Sequence, residues 1–284
     1  MYSLEAKRVL LMGGGQNIGR EIAFALARAG ADVVVADINV KGAEQTARSV
    51  REMRSSARGL GIYCDVGDDA SVTQTVEAAR DFLGAIDVLV NNVGIIHLGN
   101  PEDFPIDEWL RMFNVNLMGG VRANALVLPE MIGRGEGYIV HTASFAGLFP
   151  YATNRIPYAA SKAAVISMSE TLAIYLRPLG VRVACLCPGP TMTTSTQGLT
   201  PWSEQVVHRG PGSDLVVLSQ AEVADILIRG IEAEQTIIYT HEDGFKDTAL
   251  RGANPNAYIE AKLAAFSAGD NGLPSRVSDK ITRA

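Results

Sequence analysis

The sequence is poor in several kinds of residue, and each shortage removes a class of protein. It has only three cysteines in 284 residues, Cys64, Cys185 and Cys187, too few for a disulfide framework. Cys185 and Cys187 stand two apart in "VRVACLCPG" and share one strand face, where they read as buried apolar side chains of a reducing compartment. The four histidines are scattered, so no metal site is expected. The formal net charge is −6, with no basic stripe, and nucleic acid is not expected as a partner. No apolar run reaches the roughly 18–20 residues that span a bilayer, so no membrane segment is expected. Residues 1–9 hold only one adjacent charged pair, Lys7-Arg8, before the first strand, so a cleavable leader is not expected and a cytoplasmic location is. There is also no internal repeat and no low-complexity linker.

What the chain does have is an alternation. Apolar runs over Val9–Met12, Asp32–Ala36, Gly61–Cys64, Ile86–Asn91, Tyr138–Thr142, Arg182–Leu186 and Thr236–Tyr239 read as strands. Between them lie helical patterns near 19–29, 41–54, 69–83, 107–132, 158–177 and 219–233. Ser219 and Glu222 form a capping box at the last of these. Continuous apolar strands alternating with helices indicate an α/β protein, with a parallel sheet covered on both faces. Two regions break the rhythm. Residues 190–218 are rich in Thr, Ser, Gly and Pro and are expected to form a lid over a substrate. Residues 244–284 read as a C-terminal extension with a helix from Asn254-Pro255 to about Ser267. The last fifteen or so residues are expected to be disordered or to lie on a neighbouring subunit.

The stretch "LLMGGGQNIGREIAFALARAG" ends a strand in glycines and opens directly into a helix. Such a turn offers unpaired N–H groups and a positive helix end to a phosphate. The G-x-G-x-x-G pattern fails, because Ile18 stands where its third glycine should be. The P-loop fails too, at Arg20 and Glu21. The pattern G-x-x-x-G-x-G fits from Gly13 to Gly19, with Asn17 in its middle glycine position. Asparagine is the residue other than glycine that best tolerates a left-handed backbone. Asp37 ends the next strand, 24 residues after Gly13. A carboxylate there accepts from the adenosine ribose hydroxyls and repels the extra phosphate of NADP. No Lys or Arg occupies 16, 17, 38 or 39, so NAD is the expected cofactor. The alternative is that Asp37 caps the following turn.

Tyr158 and Lys162 stand four apart on one helix face in "PYAASKAAVISMSETLAIYL". A tyrosine that shuttles protons at neutral pH needs its pKa brought from near 10 to about 7, or about 4 kcal/mol in favour of phenolate. A neighbouring ammonium can supply part of that. Ser144 lies fourteen residues earlier, at the carboxyl end of "GYIVHTAS", and Asn116 lies in "FNVNLMGG".

On these motifs the sequence resembles the classical short-chain dehydrogenase/reductase family over residues 5–240. The resemblance implies a Rossmann-type, doubly wound, seven-stranded parallel sheet with helices on both faces. It implies one dinucleotide-binding and catalytic domain over 1–243, extended by 244–284. The nucleotide turn implicates Gly13, Gln16, Asn17, Ile18 and Gly19, followed by Asp37 and Ile38. "CDVGD" implicates Asp65 and Val66, "NNVG" implicates Asn92, Val93 and Gly94, and "CPGPTMT" implicates Pro188, Gly189, Thr191 and Thr193. Asn116, Ser144, Tyr158 and Lys162 match the catalytic tetrad. In the family's mechanism Tyr158 is the acid/base and Ser144 binds the substrate oxygen. Lys162 lowers the Tyr158 pKa and holds the nicotinamide ribose, and Asn116 holds a water that links Lys162 to solvent. The sequence departs from the family at Met12, Asn17 and Val93, and in lacking the common closing D-G-G. The implied activity is NAD-dependent interconversion of a secondary alcohol and a ketone. The alternatives are a lyase or isomerase on the same fold, or a non-catalytic nucleotide sensor.

Residues adjoining the motifs are expected to line the substrate pocket: Ile95, Phe145, Phe149, Tyr151 and Trp202, with Ile96 and Leu148 beside them. His97 and Asn154 are the nearby polar candidates. No Arg or Lys stands among them, so an uncharged, largely apolar substrate is expected: aromatic, alicyclic or steroid-like. The apolar faces of 107–132 and 158–177 suggest a homotetramer, with a dimer second.

Overall fold

The computed structural model describes residues 1–54, 56–195, 197 and 200–281. In chain order the elements begin β1 (Arg8–Met12), α1 (Asn17–Arg28), β2 (Asp32–Asp37), α2 (Val40–Met53), β3 (Gly59–Tyr63), α3 (Asp69–Leu83) and β4 (Val88–Asn91). There follow α4 (Ile106–Phe113), α5 (Gly119–Arg134), β5 (Gly137–Thr142), α6 (Phe145–Leu148), α7 (Ile156–Leu176) and β6 (Val181–Cys187). The chain closes through β7 (Val216–Val217), α8 (Gln220–Glu232), β8 (Ile237–Tyr239), α9 (Glu242–Ala253), α10 (Pro255–Ser267) and β9 (Arg276–Val277).

Seven strands form one parallel sheet in the order β3-β2-β1-β4-β5-β6-β8. Their side chains alternate between two buried faces. Val33 and Val35 of β2 pack with Ile22 and Leu26 of α1 and with Leu227 of α8. Val34 of β2, Leu10 of β1 and Leu89 of β4 pack on the other side with Val76 of α3 and Val127 of α5. Both faces are apolar because helices cover both, as a doubly wound parallel sheet requires. The strand order reverses between β1 and β4, and a crevice opens there at the strands' carboxyl ends.

Side chains cap several helices. The Asn39, Asp68, Ser219 and Asn254 side chains accept from the first turns of α2, α3, α8 and α10. The α1 N-terminus has no such cap.

The structure departs from the sequence expectations in three places. The pattern near 107–132 is not one helix: α4 and α5 are joined by a π-helical turn over Asn114–Met118. Turns of this kind are rare and collect at functional sites. Helix α6, of four residues, carries too few periodic positions to be seen in the sequence, and the twelve-residue α9 stands where only an extension was expected. The described part of the tail lies on its own chain: β9 pairs with β7, and Gly210 N–H donates to Asn271 O (2.8 Å). Among the described residues no helix is long and apolar enough to cross a membrane.

Candidate active site

A cavity of about 790 Å³ occupies the crevice. Its floor is the turn between β1 and α1. Gly13 takes φ +84° and Asn17 takes φ +49°, both in the left-handed region. At Gly19 a Cβ would overlap the Gly13 carbonyl, so only glycine lets helix and turn approach this closely. Asn17 Oδ1 accepts from Thr194 N (3.1 Å), Thr194 Oγ1 (3.0 Å) and Gln220 Nε2 (3.3 Å). Its amide therefore ties the turn to the 190–218 segment and α8 rather than bonding locally. With no capping side chain, the first-turn N–H groups of α1 stand free where Asn17, Ile18 and Gly19 line the cavity. A cradle of this kind fits a pyrophosphate.

Asp37 ends β2 at the cavity wall and is 8% exposed. Its Oδ2 accepts from Gly15 N (2.8 Å) and its Oδ1 from Asn39 N (2.9 Å). It thus caps the turn, and each oxygen keeps a lone pair for a ribose hydroxyl. Ile38, Asp65 and Val66 line the same end, with Cys64 and Gly67. At the middle of the crevice Asn92 joins three strand ends. Its Nδ2 donates to Gly13 O (2.9 Å), and its Oδ1 accepts from Thr142 Oγ1 (3.1 Å). Val93, Gly94, Pro188, Gly189, Thr191 and Thr193 complete the lining expected from the motifs.

Helix α7 and the end of β5 bring Ser144, Tyr158 and Lys162 together on this cavity. Lys162 is 2% exposed, and its Nζ donates to Thr142 O (2.7 Å). Burial lowers its pKa to about 8. Burial raises the pKa of Tyr158, while Ser144 and the Arg155 charge favour the phenolate. The Lys162 ammonium lies 5.8 Å from the Tyr158 ring centroid. Asn116 sits in the π-helical turn, off the cavity wall. Its Nδ2 donates to Ile95 O (3.0 Å) and Ser161 Oγ (3.0 Å), and its Oδ1 accepts from Ile95 N (2.8 Å). In these contacts it fixes the loop after β4 to α7.

Not every expected substrate residue reaches the cleft. Ile95, Ile96 and Tyr151 line it. Phe145 and Phe149 do not. Phe145 is fully buried against Phe149 and His241, because α6 turns its ring away from the cavity and under α9. Trp202 is 45% exposed outside the cavity, and its backbone N–H donates to Leu98 O (2.8 Å). Its neighbour Ser203 donates to Asp103 Oδ2 (2.5 Å), so this part of the 190–218 segment is pinned to the loop before α4. The expected lid includes positions 196, 198 and 199, which lie outside the described residues.

Residues that sequence reasoning missed take the vacated places: Arg155, His208, Arg209, Leu273 and Pro274. The absence of Arg and Lys expected at this end is therefore not met. Arg155 had a sequence signal, since it stands only three positions before Tyr158, at the start of α7. The other four come from the 190–218 segment and the tail, where no motif marked them.

Residues 7–204 match the family described as short chain dehydrogenase. A trans-4-hydroxycyclohexanecarboxylate dehydrogenase of Sinomonas cyclohexanicum is 36% identical over 68% of this chain and 75% of its own. The ketoacyl reductase HetN of a Nostoc strain is 31% identical over 88% of this chain and 84% of its own. Among solved structures, a short chain dehydrogenase/reductase from Burkholderia phymatum in complex with NAD aligns over 96% of this chain and 98% of its own. Its TM-score is 0.76 and its identity 26%.

Proposed function

Because the chain belongs to the short-chain dehydrogenase/reductase family, and so is an oxidoreductase that uses a nicotinamide cofactor, we propose a finer reading: NAD-dependent interconversion of a secondary alcohol and a ketone on a largely apolar ring. The observation that carries it is one cavity that joins an uncapped helix N-terminus and Asp37 at one end to Ser144, Tyr158 and Lys162 at the other. The ring alcohol handled by the Sinomonas relative supports the substrate class.

A bound nicotinamide supplies the two-electron acceptor for the carbinol and a positive charge near Tyr158. The chain's residues do the rest. The α1 turn holds the pyrophosphate and Asp37 the adenosine ribose. Ser144 hydrogen-bonds the substrate oxygen, and Tyr158 takes the proton from that oxygen or returns it. Lys162 binds the nicotinamide ribose, and its charge favours phenolate. Asn116 keeps the loop after β4 in register with α7. The 1–243 unit carries this chemistry, and the tail supplies part of the substrate wall. The buried free thiols of Cys64, Cys185 and Cys187 suit a cytoplasmic location.

Incubation with NAD and a panel of ring alcohols tests the reading. NADH appearing in the reaction supports it. Product without NADH turns it into a lyase or isomerase, and binding without product into a nucleotide sensor. Asp37 sets the cofactor preference. NAD is expected to exceed NADP at least tenfold in kcat/KM, about 1.4 kcal/mol. Asp37→Ala also loses two turn hydrogen bonds, so the ratio of the two cofactors is the readout, and it should narrow. Equal use of both by the wild type would sink the preference.

The proposed assembly is a homotetramer, with a dimer second. Ile106 and Leu110 on α4 and Ile174 and Tyr175 on α7 are exposed apolar side chains, which an interface would cover. Light scattering at micromolar concentration should give a mass of four chains, and a monomer would overturn the assignment.

A further inference from the structure

At the substrate end the lining turns from apolar to basic. Arg155 precedes the first turn of α7, and its Nη2 donates to Arg209 O (3.3 Å). The Arg209 guanidinium stacks on Phe266 of α10, 3.8 Å from the ring centroid. The Arg155 guanidinium lies 5.7 Å from the Tyr151 ring centroid. Each cation is thus placed by an aromatic ring, and both line the cavity that holds Tyr158.

Their charge is unspent. Among the described residues no ion pair joins a carboxylate to Arg155 or Arg209. Among the described residues the buried Arg209 Nη1 has no hydrogen-bond partner. A buried donor without a partner is destabilising, so such a group is kept where something else satisfies it. The carboxylates on the cavity wall, Asp37 and Asp65, belong to the adenosine end. The nearby Glu108 is already paired with His97 and Arg111. His208 adds a third polar group at this end, held by Asn154 (3.3 Å). The same cavity also has apolar lining from Ile95, Ile96, Leu273 and Pro274.

A planar guanidinium fork beside an apolar wall suits a ring that carries a carboxylate. The geometry points to an anion subsite built from Arg155 and Arg209, which selects a hydroxy acid whose carbinol lies at Tyr158 and whose carboxylate lies between the two guanidinium groups. The inference rests on the oxidoreductase reading above, and it replaces the uncharged substrate expected from the sequence with an anionic one. It also gives the tail a part in specificity, because Phe266 orients Arg209.

The test compares 4-hydroxycyclohexanecarboxylate with its methyl ester, each with NAD. The acid is expected to have a roughly tenfold or greater advantage in kcat/KM, about 1.4 kcal/mol. Arg155→Gln and Arg209→Met should each bring the acid-to-ester ratio to near one. Any effect of Arg155 on Tyr158 is common to both substrates and cancels in that ratio. Arg155→Lys should restore part of the preference. A second arm needs no turnover: calorimetric titration of cyclohexanecarboxylate and cyclohexanecarboxamide into the NADH-loaded protein. Tighter binding of the acid, lost in Arg209→Met, supports the subsite even if no alcohol is oxidised, in which case the oxidoreductase reading alone falls. Oxidation of acid and ester with equal efficiency overturns the subsite and leaves the oxidoreductase reading in place.

Discussion

Tyr158→Phe is expected to reduce turnover by roughly 10²–10⁴, the usual effect of losing a general acid/base, while cofactor affinity and melting temperature stay near wild type. The ring remains, and it is the ring that packs with the apolar cluster around Phe145 and Val165. What is lost is the hydroxyl that exchanges a proton with the carbinol oxygen. Retention of more than a tenth of the wild-type rate would refute the role.

The same site fixes a pH dependence. Burial raises the Tyr158 pKa, and Ser144 and Arg155 pull it back. Alcohol oxidation needs the phenolate, so kcat/KM in that direction should rise with pH across the Tyr158 titration. Ser144→Ala removes a group that favours the phenolate. That variant should therefore lose activity and move the rising limb to higher pH. A limb that stays in place would mean that Ser144 binds substrate without tuning the tyrosine.

Much of this was legible in the sequence because the chemistry leaves little choice of residue. The α1 turn reads from its glycines, since Gly19 meets the Gly13 carbonyl and no side chain fits there. Asn17 reads as a left-handed position for the same reason, and φ +49° follows. Parallel strands read from their two-sided apolar runs. The substrate end was read less well. Proximity in sequence to Ser144 suggested Phe145 and Phe149, but α6 turns both into the core. A helix of four residues has too little periodicity to announce that turn. Arg209, Leu273 and Pro274 reach the cleft through tertiary contacts between 208–211 and 271–274, which no local pattern encodes. The π-helical turn at Asn114–Met118 was hidden for a related reason, because its apolar spacing imitates one long helix.

Lys162→Met is expected to lower activity at least a hundredfold, comparable with the loss of an acid/base group, and at the same time to stabilise the cofactor-free protein. The two effects share one cause. The Lys162 ammonium is buried, and a single carbonyl, that of Thr142, accepts from it at 2.7 Å. Its pKa falls to about 8 because the fold disfavours its charge. Relative to an unfolded lysine near 10.4, that corresponds to a cost of about 3 kcal/mol at neutral pH. The sign follows from proton counting. Below pH 8 both states carry the proton and the full cost is present. Between about pH 8 and 10.4 the unfolded chain holds more protons than the folded one, so wild-type stability rises with pH. Methionine fills similar space without charge, though it leaves the Thr142 carbonyl without its donor. Lys162→Met should therefore unfold at higher denaturant concentration than wild type at pH 7, and the gap should close as pH approaches 10. Chemical denaturation at both pH values measures this directly. A variant less stable than wild type at pH 7 would show that the Thr142 contact outweighs the desolvation of the charge. Lys162 would then be a structural strut as well as a ribose ligand, and the stability given up for catalysis would have to be sought elsewhere in the cleft.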